Sequence, residues 1–127
     1  MNDERKTSDL KARTRMFALR VIRLCASLPR SGPPDVIGRQ LVRSGTSVGA
    51  QYREAHRARS TAEFVSKLEC SIQELDESIY WMELLTDASF VKAARLVPLV
   101  AEANELMSIL VASVRTAKRN RRDVTQR

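Results

Sequence analysis

The chain has 127 residues, of which 43% are hydrophobic, 29% charged and 5% aromatic, proportions that fit one globular domain and exclude a disordered polypeptide. Four Gly and four Pro, with so few aromatics, leave little material for turns and sheets, so helices are expected. The net charge of +7 is segregated: 13 Lys/Arg face 5 Asp/Glu over residues 1–60, 3 face 9 over 61–110, and 6 face 1 over 111–127, a division that can attract a polyanion, a second copy of the chain, or both.

In the first segment Leu10, Phe17, Val21, Leu24 and Leu28 recur at helical spacing, with Ser8 as the expected N-cap. Arg5, Arg13, Arg15, Arg20, Arg23 and Arg30 project from the other side, either as a solvated outer face or as a cationic binding surface. Pro29, Gly32, Pro33 and Pro34 then break the pattern, and Asp35 is placed to cap a second helix bearing Ile37, Leu41, Val48, Tyr52 and Ala55. Its opposite side carries Arg39, Arg43, Arg53 and Arg57, with Thr46 and Ala50 between the two pairs. Like charges one turn apart repel, so a negative partner is implied. The stretch Ser44-Gly45-Thr46-Ser47-Val48-Gly49-Ala50 is unusually small, as close approach of another backbone would require.

Ser60-Thr61-Ala62-Glu63 fits a capping box for the third helix. Phe64, Leu68, Ile72, Leu75, Ile79 and Met82 form its core stripe, while Glu63, Cys70, Glu74, Glu77 and Trp81 form a second line expected to face away from the core. A Trp on an acidic outer face points to subunit contact. Asp87 and Ser89 interrupt the pattern before a fourth helix with Leu96, Leu99, Val100, Ala103, Met107, Leu110, Val111 and Val114, which either begins near Pro98 or is kinked there. Four such segments with short connections predict an all-α, antiparallel up-down four-helix bundle over residues 1–114, and residues 115–127 are expected to fray into a mobile basic tail.

Catalytic and cofactor signatures are missing. His56 is the single histidine, Glu54-Ala55-His56 lacks the Glu-x-x-His spacing of di-iron bundles, and no phosphate-cradling glycine loop or nucleophile elbow occurs. Glu74 and Glu77 read as solvated or salt-bridging groups, and His56 as a structural or solvated residue among Arg53, Arg57 and Arg59. Cys25 and Cys70 read as reduced thiols in a cytoplasmic protein. No enzyme, cofactor, metal site or membrane segment is expected.

Gln40 to Ala55, read as Q-L-V-R-S-G-T-S-V-G-A-Q-Y-R-E-A, resembles the Q-L-R-R-A-x-x-S-I-x-x-N-I-A-E-G helix of the four-helix-bundle family encoded in bacterial 23S ribosomal RNA intervening sequences. Arg43, Ser47 and Glu54 carry the likeness, and Arg59-Ser60, Glu63-Phe64 and Ser71 to Leu75 extend it. Gln51 stands where that family usually has Asn, and Ala55 where it usually has Gly. The resemblance implies a homopentameric ring and nucleic-acid binding. Arg13, Arg20, Arg23, Arg115, Lys118, Arg119, Arg121 and Arg122 are the expected phosphate contacts, to RNA rather than DNA. Arg39, Arg43, Ala50 and Arg53 on the second helix, and Glu63, Glu74, Glu77 and Trp81 on the third, are the expected interface between copies. The alternative is a protein-interaction scaffold whose charged faces serve self-assembly and docking of a protein partner.

Overall fold

A computed structural model describes residues 3–126, with side chains at position 5 and positions 7–121. Four helices account for it: α1 (Asp3–Ala26), α2 (Gly32–Ala55), α3 (Thr61–Asp87) and α4 (Ala93–Gln126). Successive helices pack side by side and α4 returns more sparsely to α1, while diagonal pairs make no close backbone approach among the described residues. This is the expected up-down bundle.

The apolar periodicity becomes the core. Phe17, Val21, Leu41, Val48, Leu68, Leu75, Met82, Leu85, Leu106 and Leu110 are fully or almost fully buried. On α3 the buried line runs through Val65, Leu68, Ser71, Leu75, Ser78, Met82 and Leu85, so Phe64, Ile72 and Ile79 flank the core and two serines enter it. Ser78 Oγ lies 2.8 Å from Ser44 Oγ, and Ser71 Oγ donates to the Val48 carbonyl at 2.8 Å. Hydroxyls this small satisfy one another across the α2–α3 seam without separating the helices.

The small residues of α2 meet α1 on the other side. A Cβ on Gly45 would lie 3.0 Å from both Val21 methyls, and one on Gly49 would lie 3.1 Å from Thr14 Oγ1. The lost helix propensity at these glycines is the condition for close packing of α1.

Several helix ends differ from expectation. No Gly or Pro interrupts residues 3–8, so α1 starts at Asp3 rather than after a Ser8 cap. Ser31, not Asp35, is the N-cap position of α2. Pro33 and Pro34 fill its first turn, where an N–H has no intrahelical acceptor, and Asp35 pairs with Arg39 instead. Ser60 accepts from the Glu63 N–H at 3.1 Å while Glu63 reaches back to the Arg59 N–H at 3.2 Å, so the expected α3 cap forms with its return bond displaced by one residue. Pro98 lies inside α4, which starts at Ala93.

The largest departure is the C-terminal segment. It was expected to fray beyond Val114, yet α4 continues to Gln126. Ala, Arg and Lys are strong helix formers and no breaker follows Pro98, so nothing local ends the helix where its core stripe ends. At a rise of about 1.5 Å per residue the stretch after Val114 adds roughly 18 Å.

Candidate nucleic-acid interface

Antiparallel order gathers distant segments at one end of the bundle. The N-terminal part of α1, the α2–α3 turn and the C-terminal part of α4 share that end. Two ion pairs and one longer-range charge effect mark the alignment. Lys67 Nζ on α3 meets Glu54 on α2 at 2.8 Å, Lys118 Nζ on α4 meets Glu69 on α3 at 3.1 Å, and the charge of Lys11 on α1 acts on His56 at the end of α2. Lys11, Arg53, Arg57, Arg59, Arg115 and Arg119 are all exposed there. Helix polarity and charge segregation therefore combine into a basic pole.

His56 sits within it. Its ring makes edge contacts with Tyr52 at 4.6 Å and Phe64 at 5.5 Å between centroids. Partial burial first, and the positive charge of Lys11 second, hold its pKa below the usual imidazole value.

The expected phosphate contacts are differently disposed. Arg13 is committed to α4: its Nη2 lies 2.6 Å from Glu102 Oε1 and 3.3 Å from Glu105 Oε1, and these bonds raise its pKa. It fastens α1 to α4 rather than standing free. Lys118 is engaged with Glu69. Arg20 is half-buried, and Arg23, Arg115, Arg119 and Arg121 are exposed side chains. The Arg122 side chain lies outside the described residues.

The two faces expected to join separate copies already meet within one. Arg43 Nη1 lies 3.3 Å from Glu74 Oε2, its Nη2 contacts Glu77, and Trp81 Nε1 donates to Glu77 Oε1 at 3.2 Å. Glu74, Glu77 and Trp81 are half-buried against α2 rather than turned outward. Arg43 is the negative-partner problem solved inside the chain, as Arg39 is by Asp35 at 3.1 Å. Ala50, Arg53 and Glu63 remain exposed, with Glu63 serving the α3 cap.

Lys11, Arg57 and Arg59 were not singled out as phosphate contacts from the sequence. The available signal was connectivity: an up-down bundle must bring the α2–α3 turn beside the end of α4. Cys25 and Cys70 are free thiols, and burial pushes Cys25 up to about 11. Among the described residues no group of three His, Cys, Asp or Glu is placed to hold a metal ion. The stretch Ala93–Arg121 is long and apolar enough by composition to cross a membrane, where no membrane segment was expected. Leu96, Leu99, Ala103, Leu106, Leu110 and Val114 are its buried face, while Val97 stays exposed.

Fold and surface together define a small basic four-helix bundle with charged ends. The chain belongs to the 23S rRNA-intervening sequence protein family, whose model matches residues 6–112. A crystal structure of a protein of unknown function from the S23 ribosomal protein family of Bacteroides thetaiotaomicron superposes with a TM-score of 0.77 at 30% identity, covering 83% of this chain and 97% of that one. No curated protein matches the chain.

Proposed function

We propose that the protein is a non-enzymatic, cytoplasmic homo-oligomer, a ring of five in the reading the resemblance implies, that binds RNA through phosphate contacts. The observation that carries the binding claim is the basic pole, where exposed arginines from the α2–α3 turn and from the end of α4 come together. Guanidinium groups match phosphate oxygens in fork geometry, and release of condensed counterions supplies the driving force. Repeating the pole around a ring raises avidity without base readout.

Self-assembly is supported by two unlike grooves at the opposite end of the bundle. One, between α1 and α2, is lined by Ile22, Pro29 and Val42 with Arg30 and the Arg39–Asp35 pair; the other, between α3 and α4, by Val97 and Val100 with Glu83 and Asp87. Apolar surfaces of opposite rim charge suit a head-to-tail contact, the kind that closes into rings.

Filter binding of ribosomal RNA, generic RNA and DNA over a salt series tests the reading. With about four to six phosphates engaged, affinity falls roughly a hundredfold between 50 and 200 mM salt. Arg57→Glu combined with Arg119→Glu weakens every ligand and flattens that slope. Salt-insensitive binding, or no nucleic-acid shift together with recovery of a specific protein partner, replaces this reading with a scaffold.

A further inference from the structure

His56 is the chain's single histidine, and its position is not that of an isolated solvated group. It closes α2 between an aromatic edge on each side, Tyr52 from its own helix and Phe64 from α3. Arg53 precedes it by one turn, Arg57 and Arg59 follow in the turn, and the charge of Lys11 on α1 acts on it. The acidic groups around it are engaged: Glu54 with Lys67, and Glu63 with the Arg59 N–H. An imidazole held by two rings among several cations is poised to take a proton once an anion offsets that field.

We propose that Lys11, Arg53, His56 and Arg57 form a phosphate-binding site at the basic end of the bundle, and that filling it draws a proton onto His56. The inference rests on the nucleic-acid reading for its natural ligand, although the site is defined by phosphate chemistry alone. Protonated His56 adds an N–H donor and a positive charge where the phosphate oxygens sit. The end of α2 also favours a cationic imidazole, because the last carbonyls of a helix carry partial negative charge.

The sign follows from the geometry. In the free protein partial burial first, and the charge of Lys11 second, disfavour the imidazolium, and the pKa lies below its usual value. The negative charge of a bound phosphate offsets the second of these effects and raises it. Affinity is then highest at pH below the free-state value, declines as pH rises through the bound-state value, and levels off above it. Each unit by which binding lifts the pKa corresponds to about tenfold in affinity between those limits. Histidine is the side chain whose ordinary titration falls in this window, and RNA phosphodiesters do not titrate there, so with RNA a single residue carries the effect.

The test follows the imidazole resonances of His56 in the full-length protein by NMR from pH 5 to 8, free, with inorganic tripolyphosphate, and with a 30-nucleotide oligouridylate. Binding of the same probes is measured in parallel at pH 5.5 and 7.5. The expected result is a rise in the His56 pKa with both probes and about tenfold tighter RNA binding at pH 5.5, lost in His56→Gln and in His56→Phe. The Phe variant keeps an aromatic edge beside Tyr52 and Phe64, so its loss of pH dependence is not a packing defect. RNA bound equally at both pH values with an unmoved histidine removes His56 from the site and leaves the nucleic-acid reading standing. A shift with tripolyphosphate but no RNA binding keeps the phosphate site and overturns RNA as its ligand. Binding of neither probe overturns both.

Discussion

Arg43 on α2 lies between Glu74 and Glu77 on α3, with Trp81 donating its indole N–H to the same Glu77 carboxylate. Two helices that carry clustered like charges therefore neutralise each other across their own seam. The consequence for assembly is direct: these groups enter a contact between copies only by giving up partners inside the chain.

Because Arg43 is about half exposed, solvent screening limits what the network contributes. Arg43→Ala is expected to lower unfolding free energy by about 0.5–1 kcal/mol in urea titration. Arg43→Glu lowers it further, since three carboxylates then share one seam. The Glu77 pKa is depressed, chiefly by its hydrogen bond with Arg43. A carboxylate with a lowered native pKa contributes stability that is complete above its unfolded value and is lost as pH falls through the native one. Stability measured downward from pH 4.5, the ordinary value, should therefore decline less steeply in Arg43→Gln than in the parent chain.

Gly45 offers a sharper test of packing. An exposed helix glycine replaced by Ala gains about 1 kcal/mol, but here the added methyl would sit 3.0 Å from both Val21 methyls. Crowding of a packed core costs about 1–3 kcal/mol. Gly45→Ala should thus be destabilising by thermal or urea unfolding, and Val21→Ala in the same chain should recover part of the loss by making room. A stabilising Gly45→Ala with no coupling to Val21 would show that α1 yields easily.

The bundle was legible because its core is written in period: Phe17, Val21, Leu41, Val48, Leu68, Leu75 and Leu110 are all buried as their spacing requires. The small stretch on α2 was legible too, since glycines in a helix call for a close neighbour, and Val21 and Thr14 supply it. Ser71 and Ser78 were not, because a serine at a core position resembles a surface residue until its acceptor is known. The direction of Glu74 and Trp81 was misread for a related reason. At 100° per residue they stand off the main stripe, but α3 packs against both α2 and α4, so its covered arc is wider than one stripe. Arg13 and Lys118 were recognised as cations, yet their partners Glu102 and Glu69 are paired by topology and not by sequence spacing. The basic pole likewise needed the helix directions before its members could be listed together.

The end of α3 carries a conformational strain that a single change should relieve. Ser89 has φ 63°, and the N–H groups of Ser89 and Phe90 bond back to the Thr86 and Leu85 carbonyls. This is the hydrogen-bond pattern of a helix end with a left-handed residue after the cap, a position usually held by Gly. A side chain in that conformation costs about 1–2 kcal/mol, offset in part by the greater entropy glycine loses on folding. Ser89→Gly should raise stability by about 0.5–1 kcal/mol in urea unfolding, with helicity unchanged. A loss of stability would mean that the serine is held by something other than backbone geometry.

Assembly through the two grooves makes a prediction that the Arg43 network does not. Val97 is 62% exposed and Ile22 42% exposed, and each sits in an apolar groove whose rim charge is opposite to the other. Burying such side chains between copies removes apolar area from water, while a carboxylate placed there would be desolvated without a partner. Val97→Asp and Ile22→Asp should each lower the mass measured by multi-angle light scattering while circular dichroism stays that of a folded bundle. In a head-to-tail contact the two grooves are the two sides of one interface, so either substitution alone should suffice. Asp87→Arg should weaken assembly through its rim charge, and Arg30→Glu in the same chain should restore it. Unchanged mass for both apolar substitutions would take these grooves out of the contact between copies.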